Sequence, residues 1–321
     1  MTSAVAGELA SLDRLAAERG IRLEADVPIG PLTTLRVGGR ADRLVVAESA
    51  SELVAALELA RDAGVPAGVL GKGSDVVVAD AGVRGLVVRN RAGAIAIDGR
   101  HVHAEGGAAM AALVKRCTTA GLAGIEFGIS IPGTVGGATW ANAGAHGGEM
   151  KDVVRRVLAW SPVRGTLELA PEHCAFAYRE SRFKSSHEVV LSADLELEPG
   201  DATVITARIS EHQAHRRATQ PLAEQNAGSV FCNPPNDHAG RLIDAAGLKG
   251  FRIGSAEVSS LHANFIVADR GGRAADVRAV GDHVRGAVAE RFGVELRYEI
   301  EFVGDWPAQL DPPSTALAGV P

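Results

Sequence analysis

Cysteine is scarce in this chain. Its three examples, Cys117, Cys174 and Cys232, are odd in number, far apart and free of any C-x-x-C spacing. That argues against a disulfide framework or a zinc site and suits a reducing compartment. Blocks of like charge are missing too: 33 basic side chains face 39 acidic ones, for a net charge of −6. Nothing in the pattern asks for nucleic acid or a membrane surface as partner, so an anionic ligand has to be held by a local site. No run reaches the about 18 apolar residues of a membrane span. The N-terminal residues lack a basic n-region and an unbroken apolar core, so a secretory leader is not expected. The expectation is a cytoplasmic monomer acting on small molecules.

What is present is an ordinary globular composition, 46% hydrophobic and 22% charged, over 321 residues. That length predicts two or three domains. Helical spacing is expected over residues 3–19, 51–63, 109–120, 201–218, 239–246 and 274–292, the last with Val277, Val280, Val284, Val288 and Phe292 near one face. Strands are expected at 43–46, 67–70, 76–78, 153–160, 166–169, 189–197 and 294–303. In the last of these Glu295, Arg297, Glu299 and Glu301 share one face, ordinarily a solvated one. Glu198-Pro199-Gly200-Asp201 places a domain boundary near 200, and residues 305–321 read as a flexible tail rich in Pro and Ala.

The least ordinary stretch is residues 121–149, GLAGIEFGISIPGTVGGATWANAGAHGGE, with nine glycines, one proline and no lysine or arginine. It fits neither an amphipathic helix nor an alternating strand. Pro132, Gly133, Thr134, Gly136 and Gly137 present unobstructed backbone N–H groups, natural partners of a phosphate, and Asn142, Ala143 and Gly144 repeat that character. Composition alone leaves open a pair of tight turns and a cofactor cradle. A second candidate phosphate turn is Gly71-Lys72-Gly73-Ser74-Asp75, between two apolar runs. It is not a dinucleotide-binding fingerprint, because no third glycine opens a helix. Around Tyr178 and Arg179, three cations within residues 179–184 form either a solvated face or a guanidinium placed to bind a carboxylate. Ser229 follows a glycine but lacks the G-x-S-x-G spacing of a nucleophile elbow. His262 reads as structural.

Taken together, these blocks resemble UDP-N-acetylenolpyruvoylglucosamine reductases, the MurB family, from about Pro31 to Gly304. Residues 131–149 are similar to its IPGTVGG…NAGA(Y)GGE signature, and 31–39 to its TTxRVGG start. Residues 71–75 are similar to GxGSN, 176–184 to (F/Y)xYRxSxFK, 226–234 to NAGSxFxNP, and 296–304 to L-x-x-E-(V/I)-x-x-(I/V)-G. This chain departs at Asp75 for Asn, at Cys232 for a basic residue and at His146 for Tyr.

The resemblance implies an α+β protein. Residues 1–200 would form an FAD-binding domain of the vanillyl-alcohol-oxidase (PCMH) type in two lobes meeting near residue 90. Residues 201–304 would form a smaller α+β substrate domain, as in the shorter, second type of the family. FAD would lie against residues 71–75, 132–137 and 142–144. NADPH would reduce it, and UDP-N-acetylglucosamine enolpyruvate would become UDP-N-acetylmuramate. The resemblance gives Arg179 and Glu299 the substrate carboxylate, Ser229 the proton, and Tyr178 and Asn233 further substrate contacts. Two alternative readings are a flavin oxidase of the same superfamily acting on a sugar or alcohol, and a flavin-binding homologue without catalysis.

Overall fold

A computed structural model of the chain describes residues 3–307. The first lobe is a four-stranded sheet in the order Glu24–Pro28, Arg40–Ala47, Val83–Asn90, Ala67–Leu70. The last three strands run parallel, and their near-continuous apolar runs fit burial on both faces. Helices Ser3–Glu18 and Ala50–Ala63 cover one face through Leu9, Leu12, Leu53 and Leu57. The second helix starts where Ser49 accepts a hydrogen bond from Glu52 N and stops at Gly64 with φ 68°.

The second lobe is an antiparallel five-stranded sheet ordered Gly165–Leu169, Val154–Ser161, Val189–Glu196, His101–Glu105, Ile95–Asp98. Helix Met110–Thr119 packs Leu113, Val114 and Cys117 against Val157, Ala193 and Leu195. The glycine-rich stretch is more regular than its composition suggests. It makes a 3-10 turn at Glu126–Ser130, a short helix at Val135–Trp140 and a two-residue hairpin. Small side chains hide this helix from a periodicity reading and permit its packing: a Cβ on Gly136 would sit 2.8 Å from the Gly106 carbonyl oxygen.

The remaining part holds a small antiparallel sheet, Gln225–Asn226, Ile266–Ala268, Ala256–Val258, Arg252–Ile253, under helices Ala239–Ala245 and Ala274–Phe292. Val277, Val280, Val284 and Val288 are buried on one face of the long helix, as its spacing predicts. Helix Ala202–Thr219, expected to open the last domain, packs instead against Glu126–Ser130 and Met110–Thr119 of the second lobe.

The ten-residue strand expected at 294–303 is not continuous. Only Glu301–Val303 forms a ladder, parallel to Val76–Val78 of the first lobe. Before it the backbone is pinned bond by bond: Cys232 N donates to Arg297 O and Glu299 N to Val230 O. The chain thus closes back onto the first lobe, and Trp306 packs edge-on against Phe302. Residues 308–321, most of the expected tail, lie outside the described residues.

Candidate active site

Where the three parts meet lies a cavity of about 690 Å³. One wall begins with Thr34, whose N donates to the Gly73 carbonyl at 2.9 Å while its Oγ1 donates to the Asn226 carbonyl at 2.7 Å. This holds the turn Gly71–Asp75 with Gly73 at φ 60°, a left-handed conformation suited to glycine. Facing it is Pro132-Gly133-Thr134. A Cβ on Gly71 would lie 2.7 Å from Thr134 Oγ1, and one on Gly133 3.2 Å from Ser74 Oγ. The backbone N–H groups of Gly73, Ser74, Gly133 and Thr134 have no hydrogen-bond partner among the described residues. Two opposed turns with free N–H groups are chemically suited to cradle an anion.

Farther along the cavity, Arg179 sits at φ 55° in a tight turn closed by the Ala177–Glu180 bridge. Ser181 Oγ anchors that turn to the Trp140 carbonyl at 2.5 Å. Arg179 Nε donates to Glu299 Oε1 at 2.5 Å, and Nη2 to the Gly144 carbonyl at 2.7 Å. Burial pulls the guanidinium pKa down, but the Glu299 carboxylate more than offsets it, so the net shift is upward. Ser229 lines the same cavity, and its hydroxyl has no partner among the described residues. Its loop is held by Asn264, which accepts from Phe231 N and donates to Phe231 O, while its own carbonyl accepts from Val230 N.

Beside this pair lies a second charged group. Lys184 Nζ donates to Glu301 Oε1 at 2.9 Å and stands 4.5 Å from the centre of the Trp140 ring. Asp75 adjoins them. Burial first, and the Glu301 charge second, push its carboxyl up to about 6, with Lys184 pulling the other way. Lys184, rather than the exposed Lys72, therefore provides the nearby cation that Asp75 needs.

Residues 220–303 match the family model for the UDP-N-acetylenolpyruvoylglucosamine reductase C-terminal domain, and 41–168 match an FAD-binding domain model. A relative from Symbiobacterium thermophilum, named UDP-N-acetylenolpyruvoylglucosamine reductase 2, is 44% identical, covering 89% of this chain and 94% of its own. One from Heliobacterium modesticaldum, carrying the same reductase name, is 42% identical over 88% of this chain and 91% of its own. The crystal structure of the Thermus caldophilus reductase superimposes with a TM-score of 0.76 at 35% identity, covering 89% of this chain and all of that one. The chain belongs to the UDP-N-acetylenolpyruvoylglucosamine reductase family.

Membership makes FAD the cofactor, with residues 41–168 forming its FAD-binding domain. The structure fits that group: two close turns offer unpaired N–H groups for a diphosphate, and the cavity continues past them to Arg179 and Ser229.

In this member of the reductase family the expected residues divide as follows. The cradle residues Gly71 to Asp75, Pro132, Gly133, Thr134, Gly136, Gly137, Ala143 and Gly144 line the cavity with Arg179, Ser229, Asn233 and Glu299. Asn142 does not. It is fully buried, with its amide spent on Glu149, Ala177 O and Lys151 N, so it braces the wall from behind. Tyr178 lines an adjoining cavity and accepts from Asn233 N through its hydroxyl. His262 is structural, its Nδ1 accepting from Asn264 N.

An oxidase with covalently held flavin would need a free His or Cys, and the two departures of those types, His146 and Cys232, already have other contacts. His146 bonds Ser130 Oγ and stacks on His212 at 3.8 Å. Cys232 is buried, and that burial pushes its thiol up to about 11. Sequence reasoning missed Lys184, Glu301 and Asn264 as parts of the site. The signal for Glu301 was its place on the Glu299 face of the alternation.

Proposed function

We propose that this chain reduces UDP-N-acetylglucosamine enolpyruvate to UDP-N-acetylmuramate at the expense of NADPH, a step in making peptidoglycan precursors. The observation that carries the reading is the free Ser229 hydroxyl in one cavity with the Arg179–Glu299 pair and the glycine cradle.

The hydride chemistry is that of FAD, with NADPH as donor. The residues of the chain do the rest. Arg179 takes the substrate carboxylate, exchanging or sharing Glu299, and its fixed charge stabilises the enolate as negative charge moves onto that carboxylate. Glu299 holds the guanidinium in the orientation this requires. Ser229 donates its proton to C2; a hydroxyl is a weak acid, but an enolate carbon is a strong base. The loop bonds from Asn264 keep that hydroxyl in place.

The proposed location is the cytoplasm, where NADPH and nucleotide sugars are found, and the proposed state is a monomer, a reading supported by Arg179, Ser229 and Glu299 of a single chain sharing one cavity. Size-exclusion chromatography with light scattering tests the second point.

The test of function is anaerobic spectroscopy of the FAD-loaded protein. NADPH should bleach the flavin band, and added UDP-N-acetylglucosamine enolpyruvate should restore it without oxygen. A band that only oxygen restores would overturn the reading in favour of an oxidase.

A further inference from the structure

We infer that Arg297 binds the diphosphate of the nucleotide-sugar substrate, an inference that rests on the function proposed above. A second cavity, of about 480 Å³, is lined by Tyr178, Cys232, Asn233, Pro234, Glu295 and Arg297 among others. It meets the main cavity at Asn233, which lines both. A substrate with its enolpyruvyl end at Ser229 and Arg179 reaches the second cavity by passing Asn233, the residue the two cavities share.

The groups along that route suit a diphosphate. Asn233 Oδ1 accepts from Ala239 N at 3.1 Å, while its Nδ2 has no partner among the described residues and is left to donate. Cys232 brings no charge, since its buried thiol stays protonated at neutral pH. Among the described residues, Arg297 is the one cation lining the second cavity, and without it Glu295 would make the space hostile to an anion.

The Arg297 backbone is fixed beside the substrate loop, its carbonyl accepting from Cys232 N at 2.9 Å. Its guanidinium pairs with Glu180, and the two side chains are 49% and 43% exposed. Exposed pairs of this kind contribute little to stability. Exchanging one carboxylate for a doubly charged diphosphate is therefore easy, and Glu180 is the competitor the diphosphate displaces.

Steady-state kinetics on the FAD-loaded enzyme test this. Arg297→Ala should raise KM for UDP-N-acetylglucosamine enolpyruvate about tenfold with kcat within about twofold, the pattern for binding lost equally from ground and transition states. Glu180→Gln should lower that KM, because the competing carboxylate is gone. Adding Cys232→Lys to Arg297→Ala should restore it by returning a cation to the same space.

An unchanged substrate KM in Arg297→Ala, with the flavin spectrum intact, overturns the inference. So does a rise in both single variants, which marks a structural ion pair, or a rise in KM for NADPH alone. Failure of the unmodified enzyme to turn over the UDP substrate instead sinks the proposed function, and this inference with it.

Discussion

Arg179 and Glu299 stand 120 residues apart in sequence and meet at 2.5 Å in the cavity. The guanidinium is held from two sides, by the carboxylate and by the Gly144 carbonyl. A planar fork oriented in this way addresses an incoming carboxylate bidentately, which an ammonium cannot do. Arg179→Lys should therefore keep bound FAD and its reduction by NADPH, yet lower kcat for product formation by about 10²-fold. Stopped-flow measurement of each half-reaction separates the two effects; equal loss in both would show that Arg179 serves the fold or the cofactor instead.

Ser229→Ala makes a sharper cut. The hydroxyl has no partner among the described residues, so its removal leaves no orphaned group and should barely change Tm. Flavin bleaching by NADPH should persist, while turnover falls by about 10²- to 10⁴-fold. Failure of flavin reduction itself in this variant would remove the role assigned to the serine.

Much of this site was legible because its pieces are local. Gly73 and Gly133 announce themselves as residues that turns and close approach require, and the free N–H groups lie where those glycines are. Alternation put Glu295, Arg297, Glu299 and Glu301 on one face, whereas the first two line the smaller cavity and the last two the main one. That this face borders two cavities instead of solvent depends on Lys184 and Tyr178, more than 100 residues away, so Glu301 passed for a surface residue. The same pattern suggested a ten-residue strand, whereas Arg297, Glu299 and Ile300 find their hydrogen bonds singly on the 230–232 loop. Helix Val135–Trp140 was invisible for the opposite reason: small side chains give no apolar contrast for a periodicity to reveal.

Gly133→Ala tests the cradle itself. The added Cβ would approach only the Ser74 hydroxyl, at 3.2 Å, so the apo fold should tolerate it. It would, however, occupy space between the two donor turns. FAD affinity, read by flavin fluorescence, is expected to fall by about tenfold or more, the cost of one or two charge-assisted hydrogen bonds. The apo Tm should move by less than about 2 °C. Unaltered affinity would place the diphosphate elsewhere.

Asp75 makes a prediction about pH. Its carboxyl is pushed up to about 6 in the fold, by burial first and by Glu301 second, against about 3.9 in an unfolded chain. A raised folded pKa means that the native state holds a proton the unfolded state has released, so this group makes stability fall as pH rises from about 4 to about 6. Above that window the penalty is fully present, at about 1–3 kcal/mol after allowance for the group's partial contact with the cavity. Below about pH 4 it vanishes, since both states are protonated. Asp75→Asn keeps the shape and removes the charge. It should raise Tm at about pH 7.5 by several degrees and leave it nearly unchanged at about pH 4. Thermal unfolding of both proteins across that range reads the difference directly. A gain that persists undiminished at low pH would mean that the substituted amide improves packing or hydrogen bonding, and that the Asp75 charge is not what destabilises the native chain.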